Sequence, residues 1–165
     1  MLSQSQLQEL FEYDPETGIF INIKTGLPIL TMNSGRIRIF INGDKYYAAQ
    51  LAWLYMTGQW PKDQIDHVNG DRSDDRWVNL RQATQSQNMQ NRTNWGKYKK
   101  GVTFDPRGYA NPYQARIQID GVSKDLGKYA TEDGAHEAYC KAAQEHHGEF
   151  ANTEEFVPSW NRWPP

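Results

Sequence analysis

Cysteine is nearly absent from this sequence, which contains Cys140 alone among its 165 residues. A single thiol excludes an internal disulfide and the paired Cys motifs that hold structural zinc. Long apolar runs are missing as well, because no stretch approaches the roughly 20 apolar residues that cross a bilayer. The polar N-terminus also lacks the basic and apolar pattern of a secretion signal. These absences predict an intracellular protein with no structural zinc and no membrane partner.

An excess of positive charge is also missing, since 20 acidic residues outnumber 18 basic ones. The charges are nevertheless segregated along the chain. Residues 81–104 contain five basic side chains and no acidic one, whereas nine acidic residues outnumber five basic ones after Asn111. A near-neutral total can therefore coexist with one face that binds a polyanion.

The first 60 residues have the periodicity of a small α+β unit. Apolar residues at helical spacing alternate with short strand-like segments, and Asn42-Gly43 is a typical hairpin turn. The predicted elements are a helix over residues 2–11, strands over 19–23 and 36–40, and a helix over Ala48–Thr57 that Gly58 closes.

The C-terminal part predicts three strands followed by a helix. Residues 113–120 alternate, with Ala115 and Ile117 on an apolar face and Arg116 on a polar one. Asp120-Gly121 makes a tight turn into a strand over 122–129. Thr131 then caps a helix that Gly148 ends, and the helix has a stripe of alanines that can pack closely on a sheet.

The segment 65–92 predicts a strand, a polar loop, a second strand and a helix. Asp66 stands next to His67 at its start. Phosphodiester hydrolysis needs a base that titrates near neutral pH and a cation beside the phosphate, so His67 can be the base and Asp66 a metal ligand. Neighbouring strand residues point to opposite sides, and the two converge only at a bend or a distorted strand end. The alternative is a solvated histidine beside a surface aspartate.

The whole of residues 65–92 resembles the His-Asn-His endonucleases, the ββα-metal fold, and particularly their zinc-free homing-type branch in bacteriophages. The resemblance implies that His67 is the general base, and that Asp66 and Asn88 bind one Mg²⁺ or Mn²⁺ ion. It implies that Asn79 holds the loop that aims the base. One carboxylate and one amide make an incomplete magnesium shell, which water and substrate phosphate would complete. Products with 5′-phosphate ends are also implied.

Several positions in this segment have alternative interpretations. Asn91 lies one turn beyond Asn88 and competes for the ligand role, although Asn88 is preferred. Asn79 could satisfy only backbone groups in a turn. Arg81 and Arg92 are expected to contact phosphate, against the alternative of a solvated face. The three aspartates of the loop would repel DNA and are expected to face away from it: Asp71, Asp74 and Asp75.

Residues 97–156 resemble the plant ethylene-response-factor (APETALA-type) DNA-binding domain, through Lys100-Gly101-Val102, residues 113–117, Leu126-Gly127-Lys128-Tyr129 and the helix that follows. That family lays a three-stranded sheet in the major groove of DNA. The resemblance implies base contacts from the polar sheet face, namely Gln114, Arg116 and Gln118. The candidates for phosphate contact are Lys99, Lys100, Arg107, Lys124 and Lys128. The alternative is a small interaction sheet with solvated polar residues.

The sequence therefore predicts an α+β fold, with a small antiparallel sheet and helices, a ββα-metal motif, and a three-stranded antiparallel sheet packed on one helix. The predicted domains are a nuclease over 1–95 (support 1–60, motif 61–95), a DNA-binding domain over 97–156, and a tail over 157–165. The predicted function is site-selective cleavage of double-stranded DNA by a monomer, in the host cytoplasm if a phage encodes it. The alternatives are a DNA-binding protein with an inert nuclease motif, and a non-specific or structure-selective nuclease.

Overall fold

The structure is a computed structural model that describes residues 2–92 and 96–153. The chain divides into two compact units, with the division between Gln85 and Ser86. The predicted boundary at Trp95 and the predicted tail at 157–165 lie outside the described residues, so the predicted domain bounds stay a prediction.

The first unit contains two α-helices and three small antiparallel sheets, which pair as β1-β2, β3-β4-β5 and β6-β7. The elements are α1 (Gln4–Leu10), β1 (Phe11–Asp14), β2 (Ile19–Asn22), β3 (Met32–Asn33), β4 (Arg36–Ile41), β5 (Asp44–Tyr47), α2 (Ala48–Thr57), β6 (Gln64–His67), a 3₁₀ turn (Trp77–Asn79) and β7 (Leu80–Ala83). The predicted helices and hairpin are confirmed. The first helix ends one residue early because Phe11 is extended and pairs with Asn22.

Local signals fix the ends of both helices in this unit. The Ser3 hydroxyl accepts a hydrogen bond from the Gln6 amide, and the Gln6 side chain accepts one from the Ser3 amide, which forms a capping box at α1. α2 ends at Gly58, whose φ of 74° is left-handed. The helices and sheets enclose a core whose largest fully buried side chains are Phe20, Leu7, Ile39, Leu51 and Leu54.

The second unit is a three-stranded antiparallel sheet of order β10-β9-β8 with a helix packed on one face, as predicted. Its elements are β8 (Val102–Phe104), β9 (Tyr113–Ile119), β10 (Val122–Tyr129), α4 (Glu132–His147) and a 3₁₀ turn (Gly148–Phe150), and α3 (Gln85–Gln90) precedes them. The Thr131 hydroxyl caps α4 by accepting a hydrogen bond from the Gly134 amide at 3.1 Å. Small residues let α4 lie close to the sheet, because Ala135 is fully buried in one cluster with Ala115 and Ala143 is fully buried in another with Ile117.

These elements confirm the predicted α+β class. Among the helices in the described ranges, none has the length and apolar character needed to cross a membrane.

Candidate active site

Asp66 and His67 occupy the end of β6, where both side chains are buried. Antiparallel pairing with β7 places Asp66 opposite Arg81 and His67 opposite Leu80. The exposed fractions are 4% for Asp66 and 7% for His67. Ile65 is buried too, so both faces of this short strand are covered and consecutive side chains can all be shielded from water.

Arg81 binds the Asp66 carboxylate. Its Nε and Nη2 atoms donate to the same oxygen, Oδ2, at 2.9 and 2.8 Å. The Arg81 side chain is 14% exposed. A buried carboxylate needs such a partner, because an isolated buried charge is costly. Arg81, which the sequence suggested as a phosphate contact, is thus the residue that holds Asp66 within this unit.

His67 is paired with Asp75, a residue whose role sequence reasoning missed. His67 Nε2 lies 3.0 Å from Asp75 Oδ1, and the two side chains are 7% and 2% exposed. The expectation that Asp75 faces away from DNA stays a prediction, and the structure adds that this carboxylate is buried against the histidine. The sequence offered only the presence of an acidic residue in the same polar loop, and nothing in that composition distinguished Asp75 from Asp74.

The loop between β6 and the 3₁₀ turn is braced by Asn79. Its side-chain oxygen accepts a hydrogen bond from the Asn69 amide at 2.9 Å, and its Nδ2 donates to the Asp74 carbonyl at 2.7 Å. Asp74 also pairs with Arg76, and this hydrogen bonding lowers the pKa of the Asp74 carboxyl. Both ends of the Asn79 amide are therefore committed to the backbone of the loop.

The β1-β2 hairpin also supports this loop, through contacts with the backbone of Asp75 and Trp77. The Tyr13 hydroxyl donates to the Asp75 carbonyl at 2.7 Å, and the Trp77 amide donates to the Pro15 carbonyl at 2.9 Å. Gly18 packs so closely that a Cβ there would lie 2.5 Å from the Asp75 carbonyl carbon and from the Arg76 amide nitrogen. Burial, and secondly the charge of Asp75, raise the pKa of Tyr13.

The two candidate asparagine ligands lie on and after α3. Asn88 is half-buried near the C-terminal end of the helix. Asn91 is 4% exposed, and its carbonyl accepts a hydrogen bond from Asn152 Nδ2 at 2.8 Å. Arg92, another predicted phosphate contact, follows and is exposed.

The available donors suit a hard divalent cation better than zinc. In the described ranges, no group of three or more His, Cys, Asp and Glu side chains is arranged to hold a metal ion. Asp66 and an asparagine supply carboxylate and amide oxygens, which Mg²⁺ accepts together with several water molecules and substrate phosphates. The donor set therefore fits a magnesium- or manganese-type site with few protein ligands.

One face of the β3-β4-β5 sheet is basic and aromatic. The cross-strand pairs Arg38–Tyr47 and Phe40–Lys45 place these side chains together, and Arg36 is on the same face. The guanidinium groups of Arg36 and Arg38 lie 5.2 and 5.6 Å from the Tyr47 ring centroid. No carboxylate of the three described strands belongs to this face. Arg38 Nε is buried without a hydrogen-bond partner among the described residues.

The outer face of the second unit's sheet carries the predicted base-reading residues. Gln114 and Arg116 lie on the side opposite the helix, while Ala115 and Ile117 are buried beneath it. In the pairing with β10, Arg116 faces Asp125 and Gln114 faces Lys128. Gln118, the third predicted base contact, is exposed on the same face and its amide donates to the Gly121 carbonyl at 3.3 Å.

The predicted phosphate-binding side chains differ in their availability. Lys99 Nζ pairs with Asp133 at 2.8 Å. Lys100 Nζ donates to the Gln90 carbonyl, and burial lowers the pKa of Lys100 to about 8. Exposed Arg107 pairs with its neighbour Asp105. Lys124 is paired with Ile117, which puts it on the helix side of the sheet. Lys128 is exposed on the outer face.

Comparison with known proteins finds similarity over the segment that contains Asp66 and His67. Residues 46–90 match the family model described as HNH endonuclease. Over 99 residues the chain is 32% identical to an uncharacterized HNH endonuclease of Acanthamoeba polyphaga mimivirus, an alignment that covers 59% of this chain and 51% of the relative. The chain thus spans about half the length of the curated relative that it matches. No solved structure matches it.

Proposed function

We propose that this protein is a divalent-metal-dependent DNA endonuclease with its cutting centre at Asp66 and His67. The observation that carries the proposal is the burial of this acid and this imidazole, each with its own partner, inside the segment that matches HNH endonucleases. The similarity to the mimivirus protein, which is named an HNH endonuclease, supports the same activity.

In the proposed reaction, His67 accepts a proton from water, and the resulting hydroxide attacks phosphorus in line with the 3′ oxygen. The P–O3′ bond breaks, which leaves a 5′-phosphate and a 3′ oxygen that takes a proton from solvent. Asp66 and Asn88 would hold one Mg²⁺ or Mn²⁺ ion, and the ligand role of Asn88 rests on the resemblance. When bound, such an ion stabilises the charge that develops on the phosphate and on the departing oxygen.

Two further residues support this centre. Asn79 binds the loop backbone at both ends of its amide, as required of a residue that holds the loop beside the base. Arg81 fixes one oxygen of Asp66 and so limits the orientations of the carboxylate. We therefore assign Arg81 to the support of Asp66 rather than to a primary phosphate contact.

The second unit is proposed to read DNA with its outer sheet face, as an APETALA-type domain does. Arg116, Gln114 and Gln118 are the proposed base contacts, since arginine and glutamine side chains match base edges in the major groove. Among the phosphate candidates, exposed Lys128 is favoured over Lys99 and Lys100, whose ammonium groups bind within the unit.

The basic and aromatic face of the first unit is proposed to add phosphate contacts. Arg36, Arg38 and Lys45 bring three positive charges to one side of a sheet that has no opposing carboxylate there. Phosphate contacts of this kind give affinity without sequence information. The finer features proposed from the sequence are homing-type site preference, a single metal ion and a monomer acting within a phage-infected host cell.

The test is cleavage of a long DNA duplex by the full chain with EDTA, and with Mg²⁺ or Mn²⁺ added back. We expect cutting only with the metal, at preferred positions, and with 5′-phosphate ends found by run-off mapping of both strands. Binding without cutting would replace the proposal with a DNA-binding protein that has an inert motif. Cutting without positional preference would replace site selection with non-specific cleavage.

A further inference from the structure

We propose that Asp75 is a positioning residue for His67, and that the β1-β2 hairpin holds Asp75 in place. This inference rests on the proposed function, because it concerns the orientation of the proposed base. It assigns the N-terminal hairpin a part in the cutting centre that its position in the sequence does not suggest.

The side chains of Asp75 and His67 are in direct contact. Asp75 Oδ1 lies 3.0 Å from His67 Nε2, and the side chains are 2% and 7% exposed, so water is largely excluded from this hydrogen bond. A carboxylate accepts and cannot donate when it is ionised, so Nε2 carries the hydrogen. In that tautomer Nδ1 is the ring nitrogen that can take a proton, and the carboxylate also fixes the plane of the ring.

Burial of the Asp75 carboxylate has a free-energy cost. Its other oxygen, Oδ2, is buried without a hydrogen-bond partner among residues 2–92 and 96–153. A buried carboxylate with one unsatisfied oxygen destabilises a fold, and such a group calls for an explanation beyond packing. The orientation of His67 supplies that explanation.

The β1-β2 hairpin contacts the backbone around Asp75. Tyr13, buried in the first unit's core, donates to the Asp75 carbonyl at 2.7 Å. The Pro15 carbonyl accepts from the Trp77 amide at 2.9 Å, two residues further along. Gly18 has a φ of 75° and leaves no space for a Cβ against the Asp75 backbone. The hairpin therefore fixes the backbone at Asp75 and over the two residues that follow it, and through this backbone the carboxylate that meets the histidine.

The first measurement needs neither DNA nor a variant. The ¹⁵N NMR shifts of the His67 ring nitrogens, recorded on the full chain at a pH where imidazoles are neutral, distinguish the two tautomers. We expect Nε2–H. Because this readout is independent of cleavage, it stands even if the protein proves not to be a nuclease. A ring with its hydrogen on Nδ1 would overturn the inference.

The second measurement compares two substitutions of the same residue in single-turnover cleavage. Asp75→Ala removes the acceptor and should lower the rate about 10- to 100-fold, with DNA affinity unchanged, as for other residues that orient a functional histidine. Asp75→Asn retains an acceptor oxygen and should recover much of the loss and the Nε2–H tautomer. The exposed Asp63→Asn is the control for removal of an acidic charge.

The hairpin is tested by Tyr13→Phe, which removes one hydroxyl and keeps the ring. We expect a several-fold lower cleavage rate at unchanged DNA affinity, together with exchange between tautomers at His67. An unchanged rate and an unchanged tautomer in both Asp75→Ala and Tyr13→Phe would overturn the positioning role.

Discussion

Asp66 and His67 are neighbours, yet each is stabilised by a different partner. Asp66 is bound by Arg81, its cross-strand neighbour, whereas His67 meets Asp75 from the loop. The strand geometry explains the difference, since consecutive residues point to opposite sides and require separate partners. The Asp-His pair could be predicted from the sequence. Its partners could not, because burial of Asp75 depends on Tyr13 and Gly18, more than 50 residues away.

The two asparagines of the α3 region should separate metal binding from stability. Asn88→Ala is expected to raise the Mg²⁺ concentration for half-maximal cleavage about 10-fold or more, because it removes a proposed ligand. Asn91→Ala should lower the free energy of unfolding without changing the metal requirement, because Asn91 is 4% exposed. Metal titrations of cleavage and urea unfolding of both variants check this. The reverse order would transfer the ligand role to Asn91.

Lys100 should leave a signature in the pH dependence of stability. Burial lowers its pKa from 10.5 to about 8 in the folded chain. Between those values the unfolded chain retains a proton that the folded chain has lost, so the free energy of unfolding due to Lys100 rises with pH. Below about pH 8 both states are protonated, and the burial cost is fully present.

The measurement compares urea unfolding of the unaltered protein and Lys100→Met from pH 7 to 10.5. The difference between the two proteins cancels the contributions of titrating groups that do not interact with Lys100, and it retains the charge interaction between Lys100 and Cys140. As the pH rises, we expect the free energy of unfolding of the unaltered protein to increase relative to that of Lys100→Met by up to roughly 2 kcal/mol. This is less than the whole pKa shift would give, because the side chain is partly solvated. A difference in free energy of unfolding that does not change with pH would contradict burial of the Lys100 ammonium group.

At the scale of elements, the strands and helices with strong periodicity were predictable. β9 alternates as expected, and Thr131 and Gly148 bound α4 at the predicted positions. Several short features were not predicted, among them β1 and the 3₁₀ turn before β7. The β1 strand has only four residues, and the 3₁₀ turn Trp77–Asn79 has three, so neither is long enough for a periodic signal.

Gly101 gives a test of how β8 meets α4. Its φ is 78°, and a Cβ there would lie 2.0 Å from the Tyr139 ring. Gly121 has nearly the same φ, 80°, but a Cβ there would meet no atom within 4 Å, which makes it a matched control. Gly121→Ala should cost about 1 kcal/mol from backbone strain alone. Gly101→Ala should cost roughly 3 kcal/mol or more, because the helix must also shift. Equal costs in thermal unfolding would refute this close approach.

At the scale of the whole molecule, α3 has contacts that the motif alone did not predict. The Gln90 and Asn91 carbonyls accept hydrogen bonds from Lys100 and Asn152, residues of the second unit. The division of the chain therefore falls at Gln85, within the segment that the sequence presents as one nuclease motif. Sequence spacing identifies which residues form a motif, but tertiary contacts decide which unit holds each element.

If the first unit cuts DNA and the second unit reads its sequence, a substitution in the second unit should change site preference without abolishing cleavage. Arg116→Ala should cost roughly 1 to 3 kcal/mol of discrimination at one base position, because an arginine that reads a guanine edge contributes that much. Metal-dependent cutting itself should persist on DNA. Lys141→Ala, on the exposed side of α4, is the control and should leave site preference unchanged. The measurement is cleavage of a library of DNA sites that differ at single base positions. An unaltered site preference in Arg116→Ala would contradict the proposal.

His67 is the residue proposed to activate water for phosphodiester cleavage, so its removal should slow the chemical step and leave DNA binding intact. Single-turnover cleavage and DNA affinity are measured in parallel for His67→Ala, with the exposed His146→Ala as a matched control. We expect the His67 variant to cut about 100-fold more slowly or worse while its affinity stays within a few-fold, because a general base acts on the chemical step. The control should match the unaltered protein. A His67 variant that is folded and cuts the same substrate at the parental rate would contradict the account.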